Sequence, residues 1–229
     1  MKISVVIPSY EAYGRGVEFI DRGIKSVLSQ SFQDFEIVVS DHSCDDKIAS
    51  HVKSLNNPKI IYIHNHQNRG SSSANMNVGI KNSTGDIIKP LFLDDYFYST
   101  DALQIIHDAF MREIKWLVCG NISCDDSGRF FRHFIPKWND EIIFGCNTLS
   151  TPSCIAYVRC DVGFDERLIW LMDCKMYQDL YDAFGLPYIE PMALIANFLH
   201  KDQYTHRMGE DIKRKEEVLI KEEYKHLKL

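Results

Sequence analysis

The chain lacks most of the short motifs that would assign a chemistry at once. It has no G-x-x-x-x-G-K-[ST] phosphate loop, no H-E-x-x-H zinc pair and no G-x-S-x-G nucleophile elbow. Kinase-type P-loop chemistry, zincin hydrolysis and serine hydrolysis therefore have no support. No run of 18 apolar residues occurs, so no membrane span is expected. There is no internal repeat and no low-complexity segment. A basic excess is also missing: 26 Lys and Arg stand against 32 Asp and Glu, a formal charge of −6, which argues against a general nucleic-acid binder. The seven cysteines are odd in number and contain no C-x-x-C pair, which fits a reducing compartment with thiols used as small apolar fillers. Met1-Lys2-Ile3-Ser4 runs straight into a strand-like segment without a signal-peptide pattern. A cytoplasmic protein is expected, with peripheral docking at the inner face of a membrane left open.

What is present is an ordinary globular composition, 45% hydrophobic and 25% charged over 229 residues. A chain of this length buries roughly 70% of its unfolded surface and needs no disulfide or structural metal. Its first hundred residues alternate strand and helix signals. Ile3 to Ile7 is a β-branched run stopping at Pro8. Phe19, Ile20, Ile24, Val27 and Leu28 recur at helical spacing. Phe35 to Val39, Ile60 to Ile63 and Ile87 to Leu93 read as further strands, with a helix through Ala74, Val78 and Ile80. This alternation predicts an α/β fold with a mostly parallel sheet and crossover helices.

The second half is less regular. A helix is expected over Asp101 to Met111, a short strand over Trp116 to Cys119, a long lid-like loop over 121–152, a strand at Cys154 to Val158, and a helix over Met172 to Phe184 closed by Gly185 and Pro187. From Met208 onwards, Ile212, Leu219, Ile220, Tyr224 and Leu227 form one helical stripe, read as a helix packed on its own domain, with a partner or anionic lipid as the other reading.

In such sheets ligands bind beyond the carboxyl ends of the strands. Three polar clusters fall there: Pro8-Ser9-Tyr10-Glu11, Asp41-His42-Ser43 and Asp94-Asp95. Adjacent carboxylates repel unless a cation or proton relieves them, and hard oxygen ligands suit Mg²⁺ or Mn²⁺. Asp94 as a helix cap is the plainer alternative. Gly14-Arg15-Gly16 is a poor partial match to a dinucleotide loop. His64 and His66 alternate at a strand end and read as loop residues.

Taken in order, several segments resemble glycosyltransferase family 2, of the GT-A fold. They are Val5-Val6-Ile7-Pro8-Ser9-Tyr10, Ser26 to Phe32, Phe35 to Ser43, Asn68-Arg69-Gly70 through Asn77-Val78-Gly79-Ile80, and Gly85-Asp86-Ile87-Ile88 ending at Leu93-Asp94-Asp95. They cover about the first 105 residues. The resemblance implies an inverting enzyme that uses a nucleotide-sugar donor. Pro8, Ser9 and Tyr10 would line the nucleotide pocket. Asp41 would bond a pyrimidine, which suggests UDP. Asp94 would sit near the donor ribose or sugar, and Asp95 would ligate a divalent metal, Mn²⁺ or Mg²⁺. More loosely, Phe164-Asp165-Glu166 with Leu171-Met172-Asp173 resembles the block that presents the catalytic base, here Asp173, with Asp165, Glu166 and Asp179 as rivals. His200 would reach the metal or a phosphate.

Two departures stand out. The basic residue often found before the Asn at position 75 is Ala74 here, and the metal motif is Asp94-Asp95-Tyr96 instead of a spaced D-x-D. The implied layout is one domain over 1–229, with a donor half over 1–105, an acceptor and catalytic half over 106–205, and a C-terminal amphipathic helix over 206–229. The acceptor would be a glycan or lipid-linked sugar of surface polysaccharide synthesis. Phe130, Phe131, His133, Phe134 and Trp138 are candidates for an acceptor wall. A nucleotidyltransferase and a catalytically silent sugar-nucleotide-binding subunit remain as alternatives.

Overall fold

Strand β1 (Ile3–Ser9) is buried at every position, as its unbroken β-branched run requires of a strand covered on both faces. In the computed structural model, which describes residues 1–203 and 208–226, β1 lies between β2 (Phe35–Asp41) and β4 (Ile87–Pro90), parallel to both. Strand β3 (Ile60–His64) extends the parallel set beyond β2. On the other side the sheet turns mixed. β8 (Ile155–Val158) runs antiparallel to β4 and to β6 (Trp116–Asp125). β9 (Tyr188–Leu199) runs parallel to β6, and short β5 (Tyr96–Phe97) closes the order β3-β2-β1-β4-β8-β6-β9-β5.

Helices α1 (Gly16–Leu28), α2 (Lys47–Ser54), α3 (Ser72–Lys81), α4 (Ala102–Phe110), α5 (Met172–Phe184) and α6 (Glu210–Glu223) flank this sheet. α1 buries Phe19, Ile20, Gly23, Ile24 and Val27, the stripe its spacing predicts. α3 packs so closely on the sheet that a Cβ on Gly79 would lie 2.4 Å from Val6 Cγ1, which explains a glycine inside a helix. The fold class is as the sequence suggests.

Four local expectations change. The fourth strand stops at Pro90, so Asp94 and Asp95 sit in the turn that follows. The loop expected over 121–152 is largely ordered by pairing: β6 continues to Asp125 and forms a hairpin with β7 (Phe130–Phe134). Asn121 and Ser123 look like loop residues in the sequence, yet both are buried within β6. Strand β9 occupies a stretch where the sequence predicts no element, because Pro191 interrupts its pattern beside register shifts against β6. Among the described residues the C-terminal helix spans Glu210–Glu223, while 206–207 and 227–229 of the expected helix lie outside them. Ile220 and Tyr224 are buried and Leu219 packs against the core, while Leu227 lies outside the described residues. Among the described residues no helix is long and apolar enough to cross a membrane.

Candidate active site

Chain order reverses at β1: β2 and β3 lie to one side, β4 to the other. Ligands of α/β sheets bind beyond the carboxyl ends of the strands at such a switch point. A cavity of about 820 Å³ opens there. Pro8, Ser9 and Tyr10 line it from the end of β1, and Asp94 and Asp95 from the turn after β4. Asp173 and Trp170 come from the start of α5, and His200 from the end of β9.

Asp41 stands behind the wall and does not line the cavity. It is fully buried at the end of β2, paired in register with Ser9. Its Oδ1 accepts from Ser9 Oγ (3.1 Å), Ser43 N (3.0 Å) and Ser43 Oγ (2.7 Å), and its Oδ2 from Tyr62 Oη (2.7 Å). Beside it Asn75, on α3, donates to the carbonyls of Ser9 (3.1 Å) and Ser40 (2.8 Å) and accepts from Ser40 Oγ (2.7 Å). Buried polar groups demand such pairing, and here it fixes the ends of β1 and β2 together. The basic group of this wall is Arg69, from the loop before α3, which donates to Ser43 O at 3.1 Å.

The acid pair is asymmetric. Asp95 is 2% exposed, and its Oδ1 accepts from Asn197 Nδ2 (3.1 Å) and Phe198 N (3.2 Å), its Oδ2 from Thr151 Oγ1 (2.9 Å). Burial, and then the charge of Asp94, push its carboxyl up to about 7 in spite of these bonds. Asp94 is more open, and its Oδ2 lies 3.1 Å from His200 Nε2. His200 thus meets Asp94 and not Asp95. Its ring packs on Phe19 and Phe198, and its buried Nδ1 has no hydrogen-bond partner among the described residues. Behind the pair, Arg22 donates to the Asp94 carbonyl at 2.9 Å and stacks on Phe198 at 3.9 Å.

A divalent cation fits this donor set. Two neighbouring carboxyls, one raised by the charge of the other, call for positive charge, and their oxygens are hard ligands. Among the described residues no three His, Cys, Asp or Glu side chains converge on one point. The chain would therefore supply part of a coordination shell, with phosphate and water completing it.

Asp173 stands in the first turn of α5. Its Oδ2 accepts from Asn147 Nδ2 at 2.6 Å and its Oδ1 from Cys174 N at 2.7 Å. Burial pushes its carboxyl up to about 6 against those bonds. The rivals lie elsewhere: Asp165 pairs with Arg167, Glu166 accepts from Asn68 and Asn77, and Asp179 pairs with Lys175. The five aromatic-wall candidates do not line the cavity. Phe130 and Phe131 are exposed on the hairpin, and Trp138 stacks on Tyr181 at 4.6 Å. Thr151, Asn197 and Asn147, which hold the carboxyls, carry no local sequence signal. They lie 56, 102 and 26 positions from the groups they bond.

The sheet-end cavity is thus lined by an acid pair, of which Asp95 is buried, and by the separate raised carboxyl of Asp173. The model of glycosyl transferase family 2 matches residues 4–169, and the chain belongs to that family. An uncharacterized glycosyltransferase of Rickettsia bellii is 34% identical over 224 residues, 90% of this chain and 31% of that protein. The GalNAc(5)-diNAcBac-PP-undecaprenol beta-1,3-glucosyltransferase of Campylobacter jejuni is 33% identical over 138 residues, 59% of this chain and 43% of its own length. The chain thus spans less than half of either relative. Among solved structures, S. aureus TarS 1-349 in complex with UDP-GlcNAc superposes with a TM-score of 0.75 at 20% identity, over 96% of this chain and 65% of that one. The mannosyltransferase PcManGT of Pyrobaculum calidifontis, in complex with GDP-Man and Mn²⁺, gives 0.64 at 15% identity, over 89% and 58%. At these identities the likeness is one of fold, GT-A.

Proposed function

We propose that the chain transfers a sugar from a UDP-linked donor to a lipid-linked saccharide or growing glycan, with inversion at the anomeric carbon. One observation carries this reading: a single cavity is lined both by the acid pair Asp94–Asp95, from the turn after β4, and by the separate carboxyl of Asp173, from α5. Residues 1–105 supply the donor wall, 106–205 supply Asp173 and the acceptor side, and the C-terminal helix closes the domain. The TarS complex supports a UDP-sugar, and the Campylobacter relative an undecaprenol-linked acceptor of the kind used in surface polysaccharide synthesis.

In this reading Tyr10, 38% exposed at the cavity, lies against the base, and Pro8 and Ser9 form the floor beneath it. Asp41 acts through the chain it holds: its bonds to Ser9 and Ser43 set the edge that a pyrimidine would meet. Asp95 is the chain's principal metal ligand, Asp94 faces the donor ribose or sugar, and His200 reaches the metal or orients Asp94. A bound Mn²⁺ or Mg²⁺ would neutralise the diphosphate as it leaves. Asp173 takes the proton of the acceptor hydroxyl as that oxygen attacks. A carboxyl raised to about 6 is still ionised at neutral pH and is a stronger base than an ordinary aspartate. Asn147 and the Cys174 N–H each hold one oxygen and so orient the carboxyl at the cavity lining.

The test is a thermal-shift panel of UDP-, GDP-, CDP- and dTDP-sugars with and without Mn²⁺. The expected result is a rise in Tm selective for UDP-sugars and larger with Mn²⁺. Stabilisation by nucleoside triphosphates, with pyrophosphate release, would point instead to a nucleotidyltransferase.

A further inference from the structure

The loop that leads into α5 is held from outside by one side chain of the C-terminal helix. Glu216, on α6, is 5% exposed. Its Oε1 accepts from Ile169 N at 2.7 Å, and its Oε2 from Trp170 N at 2.9 Å and Leu171 N at 2.8 Å. These three N–H groups lie just before Met172, the first residue of α5, where a helix has amides without internal partners. Ile169, Trp170 and Leu171 themselves line the cavity, two to four residues before Asp173. From the cavity side, the loop at Gly145 to Asn147 bears on the same segment. A Cβ on Gly145 would meet Leu171 and Trp170 side chains at 3.3 and 3.7 Å, and Asn147 holds Asp173.

The C-terminal stripe itself does not explain a buried acid. Ile220 and Tyr224 are buried against the core with Leu219 beside them, and an apolar residue at 216 would add to that stripe without a charge to desolvate. The cost is offset only because three backbone donors converge on the carboxyl, and they belong to the segment that aims Asp173.

We infer that Glu216 is a positioning residue for the reaction: it locks the 169–171 turn, through which it sets where the Asp173 carboxyl stands in the cavity. The inference rests on Asp173 being the base, but its effect on that carboxyl is readable without turnover. Glu216→Gln has the right shape and the wrong chemistry. Its amide nitrogen carries two hydrogens and must face at least one of the three N–H donors.

The test compares parent, Glu216→Gln, Glu216→Ala and Asp173→Asn, using UDP-glucose with undecaprenyl-diphosphate-linked GalNAc as probe substrates and UDP as the binding probe. Three readouts are taken: kcat against KM, amide exchange at 169–171, and the Asp173 carboxyl titration by ¹³C NMR, assigned with Asp173→Asn. For Glu216→Gln the expected result is UDP affinity within about twofold of parent and exchange at 169–171 at least tenfold faster. The Asp173 titration moves toward the ordinary aspartate range, and kcat falls at least tenfold with little change in donor KM. Glu216→Ala changes the same readouts further.

Unchanged Asp173 titration and exchange in Glu216→Gln overturns the inference. So does loss of UDP binding, or failure of both Glu216 variants to fold, since the role is then general to the fold. Parental kcat in Asp173→Asn removes the base assignment instead, and leaves the titration and exchange data to decide whether Glu216 positions that carboxyl.

Discussion

Asp95→Asn should make the metal-free protein more stable while removing its response to divalent metal. The Asp95 carboxyl is buried and sits at about 7, against an ordinary value of 3.8. A carboxyl raised in the folded state binds protons more tightly there than in the unfolded chain. Stability is therefore highest below about pH 4 and is lost as pH rises through about 7. The shift corresponds to about 4 kcal/mol lost by pH 8, at about 1.4 kcal/mol per unit, and to under about 1 kcal/mol at pH 4. An asparagine avoids that cost, because its Oδ1 can still accept from Asn197 and Phe198 N while its Nδ2 donates to Thr151 Oγ1. At about 2–4 °C per kcal/mol for a chain of this size, about 4 kcal/mol is about 8–16 °C in Tm. Thermal melts in EDTA at pH 4.5, 6 and 8 give the measure: the gain of Asp95→Asn over parent should grow with pH. Mn²⁺ should raise the Tm of the parent at pH 8 and leave the variant where it is. A variant that melts below the parent at pH 8 in EDTA refutes the reasoning, because the charge at Asp95 would then be stabilising without a cation.

Other predictions concern the remaining walls. Asp173→Asn should keep UDP binding within about twofold and lose transfer, and parental turnover would exclude it as base. With Asp173 raised to about 6, transfer in the parent should fall as pH drops through about 6; a rate flat from pH 5 to 8 contradicts that role. Asp41→Ala removes the acceptor of four donors from Ser9, Ser43 and Tyr62, of which both Ser43 groups lie fully buried. It should cost about 1–3 kcal/mol in urea melts and weaken UDP binding; equal UDP affinity would remove its role in the base pocket. Gly79→Ala drives a methyl against Val6 Cγ1 and should cost about 1–3 kcal/mol by overpacking, with a Tm unchanged from parent as the contrary result.

The first hundred residues were legible because their signals are local. Runs such as Ile3 to Ile7 and Phe35 to Val39 are strands by composition, and the turns after them deliver Pro8 to Tyr10, Asp41 and the acid pair to one edge. The second half hid its order in residues of the wrong apparent type. Asn121 and Ser123 are polar yet buried in β6, and β9 carries a proline. Pairing across the sheet overrides such local preference. The carboxyls were nameable, but their settings were not. That Asp95 sits near 7 depends on its burial and on the charge of Asp94, against the lowering bonds from Thr151 and Phe198, and the hold of Glu216 on 169–171 spans 45 to 47 positions of chain. The aromatic hairpin misled for the opposite reason. Phe130, Phe131 and Trp138 suit a sugar face in type, but β7 lies at the sheet margin, paired with β6 and away from the cavity lining.

The central claim is that the cavity holds a nucleotide-sugar diphosphate with a metal on Asp95. Calorimetric titration of UDP into the parent and into Asp95→Ala, each in Mn²⁺ and in EDTA, tests it most directly. The account predicts that Mn²⁺ tightens UDP binding at least tenfold in the parent and has no effect in the variant. Equal UDP affinity in Mn²⁺ and EDTA for the parent, or the same Mn²⁺ enhancement in Asp95→Ala, contradicts it.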